Sequence, residues 1–239
     1  MSETTSIDVG GRQYDAAISR PSGGTHGDGP WPAVVVIHDL TGFGNDVRRH
    51  CDRFAEAGYL ALAPDLYRGG NVACVVQTLK SMATHEGHAY AVIDGARRAV
   101  MDRSDVDASK VGVCGFCMGG GFALVAGADQ TFAVAAPFYG SVPRSASRLR
   151  GVCPTIAQYG TKDVAFVPHG RRLSEHLQEL GVEHEVLFHE NAGHSFMNQL
   201  EGFAAASGPY TPLRAEYDAD VEAVAWAKLL EFFGRHLPS

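Results

Sequence analysis

The sequence predicts an α/β fold class: a mostly parallel central sheet with helices on both faces and an N-terminal β-hairpin. Short, continuous apolar runs such as Val34-Val35-Val36-Ile37 have the length and composition of strands buried on both faces. These runs alternate with segments of helical period, the order that builds a parallel sheet. A glycine-framed turn, Gly115-Phe116-Cys117-Met118-Gly119, joins the end of one such run to the start of a helix. With 239 residues, 45% of them hydrophobic and 20% charged, the chain suits one domain, 1–239, with a substantial core.

Taken in order, Ser6–Val9 and Arg12–Ser19 flank Gly10-Gly11 and read as the opening hairpin. Pro21–Pro32 is rich in Gly and Pro and reads as a surface loop, not a domain boundary. Ala33–Ile37 is the first buried strand. Val47, Cys51, Phe54 and Gly58 then fall at helical spacing behind Asp46, a candidate N-cap. Tyr59–Ala63 is a second strand, stopped by Pro64, and two helical stretches follow between about Val72 and Met101. Val111–Cys114 feeds the glycine-framed turn and its helix. Strands at Phe132–Phe138, Thr155–Tyr159 and Glu183–His189 follow, with a helix from about Pro168 to Leu180 between the last two. Val221, Ala225, Leu229 and Phe233 mark a closing amphipathic helix that Gly234 and Pro238 should end.

Charge and cysteine usage narrow the function. The net charge of −7 arises from 27 acidic and 20 basic residues interspersed along the chain, which argues against a nucleic acid partner. The N-terminal residues lack a basic stretch followed by an apolar one, and no apolar run is long enough to span a bilayer. Five cysteines, an odd and scattered set, need no disulfide framework in a chain of this size, so a reducing cytoplasm is expected. His85-Glu86-Gly87-His88 lacks the spacing that puts two histidines on one helix face, so no metal is expected there. The glycines at 119–121 form no dinucleotide fingerprint, and no cofactor is expected.

The strand-turn-helix around Cys117 is the pattern of a nucleophile elbow with a thiol at its centre. A thiol at a helix start faces unpaired N–H groups and the positive end of the helix dipole, which favour the thiolate. Such a nucleophile needs a base and an acid that orients it, and in this architecture the chain order is nucleophile, acid, histidine. Asp163 in Gly160-Thr161-Lys162-Asp163 and His194 in Ala192-Gly193-His194-Ser195-Phe196 follow strands in that order. An oxyanion hole would use the N–H of Met118, after the nucleophile, and that of Leu40, in the loop after Ala33–Ile37.

Together Gly-Phe-Cys-Met-Gly-Gly, Pro64-Asp65-Leu66-Tyr67, Gly-Thr-Lys-Asp and Ala-Gly-His-Ser-Phe resemble the dienelactone hydrolase family of α/β-hydrolases, from about Val34 to the final helix. The resemblance implies an α/β-hydrolase fold and hydrolysis of an ester or lactone through a cysteine acyl-enzyme. It assigns Cys117 as nucleophile, Asp163 as acid and His194 as base. It also implies a small-molecule substrate, and the protein is expected to be a monomer or homodimer. Two positions depart from the family pattern. Asp39 stands where an acidic residue, usually Glu, meets the resting thiol. Asn198 stands where an arginine would hold a substrate carboxylate, which leaves Arg68 as the candidate anion anchor.

Each assignment has a plainer reading. A cysteine is most often a small buried hydrophobe, and Cys51, Cys74 and Cys153 are left as such. Asp163 and Asp39 could simply cap turns, Asp65 reads as a turn stabiliser, and Arg68 could be a solvated cation. Cys114-Gly115-Phe116-Cys117 is formally Cys-x-x-Cys, so a thiol redox protein is a competing function, although Cys114 ends an apolar strand. A non-catalytic binding module on the same fold is the third.

Overall fold

The computed structural model of the protein describes residues 1–238. Its strands are β1 (Glu3–Val9), β2 (Arg12–Ser19), β3 (Trp31–Ile37), β4 (Leu60–Pro64), β5 (Val106–Phe116), β6 (Val134–Phe138), β7 (Thr155–Gly160) and β8 (His184–His189). They form one sheet in the order β1-β2-β4-β3-β5-β6-β7-β8. The β1–β2 hairpin and the β2–β4 pair are antiparallel, and every other pair is parallel.

The helices are α1 (Gly23–His26), α2 (Asn45–Glu56), α3 (Val72–Thr84), α4 (His88–Met101), α5 (Met118–Asp129), α6 (Val167–Leu180), α7 (Gly202–Ser207) and α8 (Ala219–His236). Strand β3 shows why its sequence is apolar throughout. Val34 and Val36 enter the core beneath α2 and α8, while Val35 and Ile37 enter the one beneath α4 and α5. Successive side chains point to opposite faces, and here both faces are covered. Beneath α2 and α8, Phe54 packs edge-on against Trp226 with ring centroids 4.7 Å apart, and Phe233 lies at 6.0 Å. No described helix is long and apolar enough to cross a membrane.

The structure corrects several boundaries. Helix α2 is capped by Gly44, and Asp46 lies inside its first turn. The Asp46 carboxylate is bound by Arg49 of its own helix and, from across the fold, by the Gln199 N–H and the Asn198 amide. Gly234 does not end α8, which continues to His236. Strand β5 begins at Val106, whose pairing with Trp31 extends it through the polar stretch Asp107–Lys110. The Gly/Pro-rich segment 21–32 contains the single turn α1 and the start of β3.

Candidate active site

Cys117 stands alone between β5 and α5, with φ 53° and ψ −114°. A non-glycine residue held there carries strain of about 1–3 kcal/mol, tolerated only when the surroundings fix it. They do so from both sides: the Cys117 N–H donates to Phe138 O at 3.1 Å, and its carbonyl accepts from the Gly120 and Gly121 N–H groups at 3.0 and 3.2 Å. Gly115 makes the bend possible, because a Cβ there would sit 2.1 Å from Gly119 O. Gly119 lets the start of α5 press against β3, where a Cβ would lie 2.4 Å from Ile37 O. Both clashes are with backbone. Gly115→Ala is therefore expected to lower stability by about 3 kcal/mol or more, read as a fall in the midpoint of thermal or denaturant unfolding.

The loop after β3 faces this turn. Neither the Leu40 N–H nor the Met118 N–H has a protein acceptor among the described residues. One phenol ties the two segments together: the Tyr67 hydroxyl donates to Leu40 O at 3.2 Å and lies 3.6 Å from Met118 Sδ. Burial, with the negative charges of Asp39, Cys117 and Asp65, pushes its pKa up to about 12, so it stays a donor. Tyr67 packs edge-on against His38 at 4.9 Å. His38 Nε2 accepts from the Leu66 N–H at 3.2 Å, which leaves the proton on Nδ1, 2.7 Å from Asp39 O. Tyr67 stands in the Pro64-Asp65-Leu66-Tyr67 motif with nothing in the sequence to assign it a role, and His38 carries no signal beyond its place next to Asp39. Asp65 is a turn stabiliser, as expected, accepting from the Tyr67 N–H at 2.8 Å and the Gly69 N–H at 2.5 Å.

Asp163, in the loop after β7, is fully buried, and its Oδ2 lies 2.5 Å from His194 Nδ1. Its Oδ1 accepts from the Phe166 N–H at 3.2 Å. His194, in the loop after β8, is held by backbone bonds from its N–H to Leu213 O and from the Glu216 N–H to its own carbonyl. The rings of Tyr139 and Phe166 each lie 4.8 Å from the imidazole. Burial alone would depress its pKa, but the Asp163 carboxylate and the Cys117 sulfur outweigh that and hold it at about 9. Nε2 is buried and has no hydrogen-bond partner among the described residues. The Cys117 sulfur is among the groups that raise the imidazole's pKa, with no hydrogen bond formed to Nε2, as is common in unliganded sites.

The remaining sequence-selected residues divide. Asp39 is buried beside the site, and its Oδ1 accepts from the Thr41 N–H at 2.8 Å and the Thr41 hydroxyl at 2.5 Å. Asn198 is buried with both ends of its amide engaged: Oδ1 accepts from the Tyr139 hydroxyl, and Nδ2 donates to Asp46 Oδ2 at 2.6 Å. Arg68 is exposed and engages the opening hairpin. Its Nε donates to Gln13 O at 3.3 Å, and its guanidinium lies 5.8 Å from the centre of the Tyr14 ring on β2.

Between the loop after β3 and residues 198–201 lies a cleft of about 190 Å³, with Phe116 in its lining next to Cys117. Asp39, Asp46 and Glu201 also line it, and no Lys or Arg does. Among the described residues no group of three or more His, Cys, Asp or Glu could hold a metal ion. All five cysteines are free, and Cys117 alone is more than slightly exposed. Cys114 is wholly buried, and burial pushes its thiol well above the ordinary range.

Comparison with known proteins bears on the fold and the family. Two relatives share the name "Putative carboxymethylenebutenolidase". The one from Yersinia pestis is 25% identical over 249 residues, covering 97% of this chain and 87% of its own length. The one from Escherichia coli K12 is 27% identical, covering 97% and 86%. Among solved structures, a dienelactone hydrolase-like promiscuous phosphotriesterase from metagenomic libraries superposes with a TM-score of 0.80 at 24% identity, covering 99% of this chain and 98% of its own. A dienelactone hydrolase from Anabaena variabilis gives a TM-score of 0.71 at 19% identity, covering 99% and 98%. The family model for dienelactone hydrolases matches residues 16–237. By that match, which spans nearly the whole sheet and the site it carries, the chain belongs to the dienelactone hydrolase family.

Proposed function

We propose that the protein hydrolyses carboxylic esters or lactones through an acyl-enzyme on Cys117. The Cys117 sulfur attacks the carbonyl carbon with its proton held on His194 Nε2, whose raised pKa keeps that proton at neutral pH, and the carbonyl oxygen becomes an oxyanion facing the Leu40 and Met118 N–H groups. The intermediate collapses by breaking the bond to the alkoxy oxygen, which receives the proton from His194. Water then attacks the thioester with His194 as base, releasing the carboxylic acid and restoring the thiol. The observation that carries this reading is the bond between Asp163 and His194 Nδ1, with Nε2 buried and unpartnered; the Cys117 sulfur is among the groups that raise the imidazole's pKa. Family membership and the relatives' names support the ester or lactone substrate class. Intact-protein mass spectrometry during turnover of an activated acetyl ester should show an acetyl adduct, mapped to Cys117 by peptide digestion. An adduct elsewhere, or none on quenching in the first turnovers, counts against the acyl-enzyme.

The charge of the cleft supports a preference among substrates. No Lys or Arg lines it, although Asp46 is paired from behind with Arg49, and Arg68 is engaged on β2. A carboxylated ester would enter an acidic site without a charge-assisted partner. Neutral esters are expected to exceed matched carboxylated ones in kcat/KM by about tenfold, a difference near 1.4 kcal/mol. Arg68→Ala should leave both KM values unchanged. A rise confined to the acidic substrate would restore Arg68 as an anion anchor.

A further inference from the structure

The geometry points to Asp46, Asn198 and Tyr139 as a clamp of positioning residues that sets the imidazole of His194 against Cys117. This inference rests on the pairing of those two residues proposed above.

The segment that follows His194 has no regular structure of its own. Ser195 sits at φ 64°, and the Asn198 N–H turns back to Ser195 O at 2.9 Å. Helix α2 holds this segment from outside. Asp46 accepts from the Gln199 N–H at 3.0 Å and from Asn198 Nδ2 at 2.6 Å, while Arg49 donates to Met197 O at 2.5 Å and to Asp46 Oδ1 at 3.0 Å. Arg49 is itself anchored by Glu222 of α8 at 2.6 Å. Burial works against ionisation of Asp46, but His50, the Gln199 N–H and Arg49 outweigh it and hold the carboxyl well below the usual carboxylate range. Burial also drives His50 down, so at neutral pH the lasting positive charge beside Asp46 is that of Arg49.

The other end of the clamp reaches the base. The Asn198 amide passes the link to the Tyr139 hydroxyl. Tyr139 is fully buried at φ 38°, with its N–H fixed to Gln158 O at 2.8 Å. Its ring packs against both His194, at 4.8 Å, and Phe196, at 5.0 Å. A buried amide with both ends satisfied has one orientation, so Asn198 fixes the tilt of Tyr139 and thereby one wall of the imidazole site. This gives Asn198 a role other than substrate contact.

The test uses the full-length protein and the rate of Cys117 alkylation by iodoacetamide across pH, with Cys117→Ala as the blank. Wild type, His194→Ala, Asn198→Ala, Asp46→Asn and Tyr139→Phe are compared, and Tm and kcat are measured on each. Tyr139→Phe removes only a hydroxyl and is the variant that best keeps the fold. The clamp predicts that the alkylation profiles of Tyr139→Phe and Asn198→Ala move toward that of His194→Ala. It also predicts that kcat falls about tenfold for Tyr139→Phe and about 10²-fold for Asn198→Ala, while KM changes little. A lower Tm with wild-type alkylation profiles and wild-type kcat overturns it. A wild-type profile identical to that of His194→Ala overturns the pairing beneath it. Displaced alkylation profiles in a protein that hydrolyses no ester would uphold the clamp and sink the proposed hydrolysis.

Discussion

Cys117→Ala is expected to lower ester hydrolysis by about 10⁴-fold or more and to abolish the acyl adduct. The reasoning is geometric. Alanine keeps the Cβ and the backbone bonds that hold the elbow, so the sheet and the two unpaired N–H groups remain, and the loss isolates the sulfur. What survives should be the small contribution of oxyanion stabilisation and binding. Cys74→Ala is the matched control. Cys74 is buried on α3, and its removal should cost some stability with kcat retained. The comparison also separates the competing redox reading. Cys114 is buried without access to an attacking reagent, so a redox couple would require the interior to open. Equal hydrolysis by wild type and Cys117→Ala would refute the nucleophile assignment.

Asp163→Asn has the second largest expected effect, a fall of about 10³–10⁴-fold in kcat. The amide is nearly isosteric with the carboxylate but carries no charge, so it neither stabilises the imidazolium nor fixes the same tautomer. The His194 pKa should drop from about 9 toward or below its ordinary 6.5. Stability should respond to pH in a definite direction. A folded-state pKa raised from 6.5 to about 9 contributes stability that is fully present below pH 6.5 and lost as pH rises through about 9. Its full size is about 3 kcal/mol. The Tm advantage of wild type over Asp163→Asn should therefore be widest near pH 6 and shrink by pH 9.5. A constant difference across that range would show that the charge of the pair contributes nothing to folding.

The sheet was legible in the sequence where burial on both faces left unbroken apolar runs, as in β3 and β4. The elbow was legible because its glycines answer to local backbone crowding. Asp163 and His194 could be chosen from 27 acidic residues and 11 histidines only because chain order and strand ends constrain them. Whatever depends on partners distant in sequence was not legible. Asp46 had the look of an N-cap, yet its acceptors are occupied by residues 198 and 199. Gly234 resembled a helix stop, but no atom lies within 4 Å of the Cβ position there, and nothing in the surroundings demands a turn. Asn198 and Arg68 were selected by position along the chain, whereas their side chains answer to Asp46 and Tyr139 in one case and to β2 in the other. Periodicity reports which face a residue occupies, and it carries no information about which hydrogen-bond partner arrives there.

The strand order has a consequence for when chemistry becomes possible during biosynthesis. The sulfur follows β5 at the middle of the sheet, the carboxylate follows β7, and the imidazole follows β8 at the edge. Translation delivers them in that same sequence, so a nascent chain holds its cysteine well before the histidine exists. Until β8 and the loop after it are made, Cys117 has no imidazole beside it. The last strand of the sheet to be synthesised thus carries the proposed base to the proposed nucleophile, which is made first. If the proposed pairing raises the reactivity of Cys117, an iodoacetamide pulse would mark finished molecules apart from those still folding.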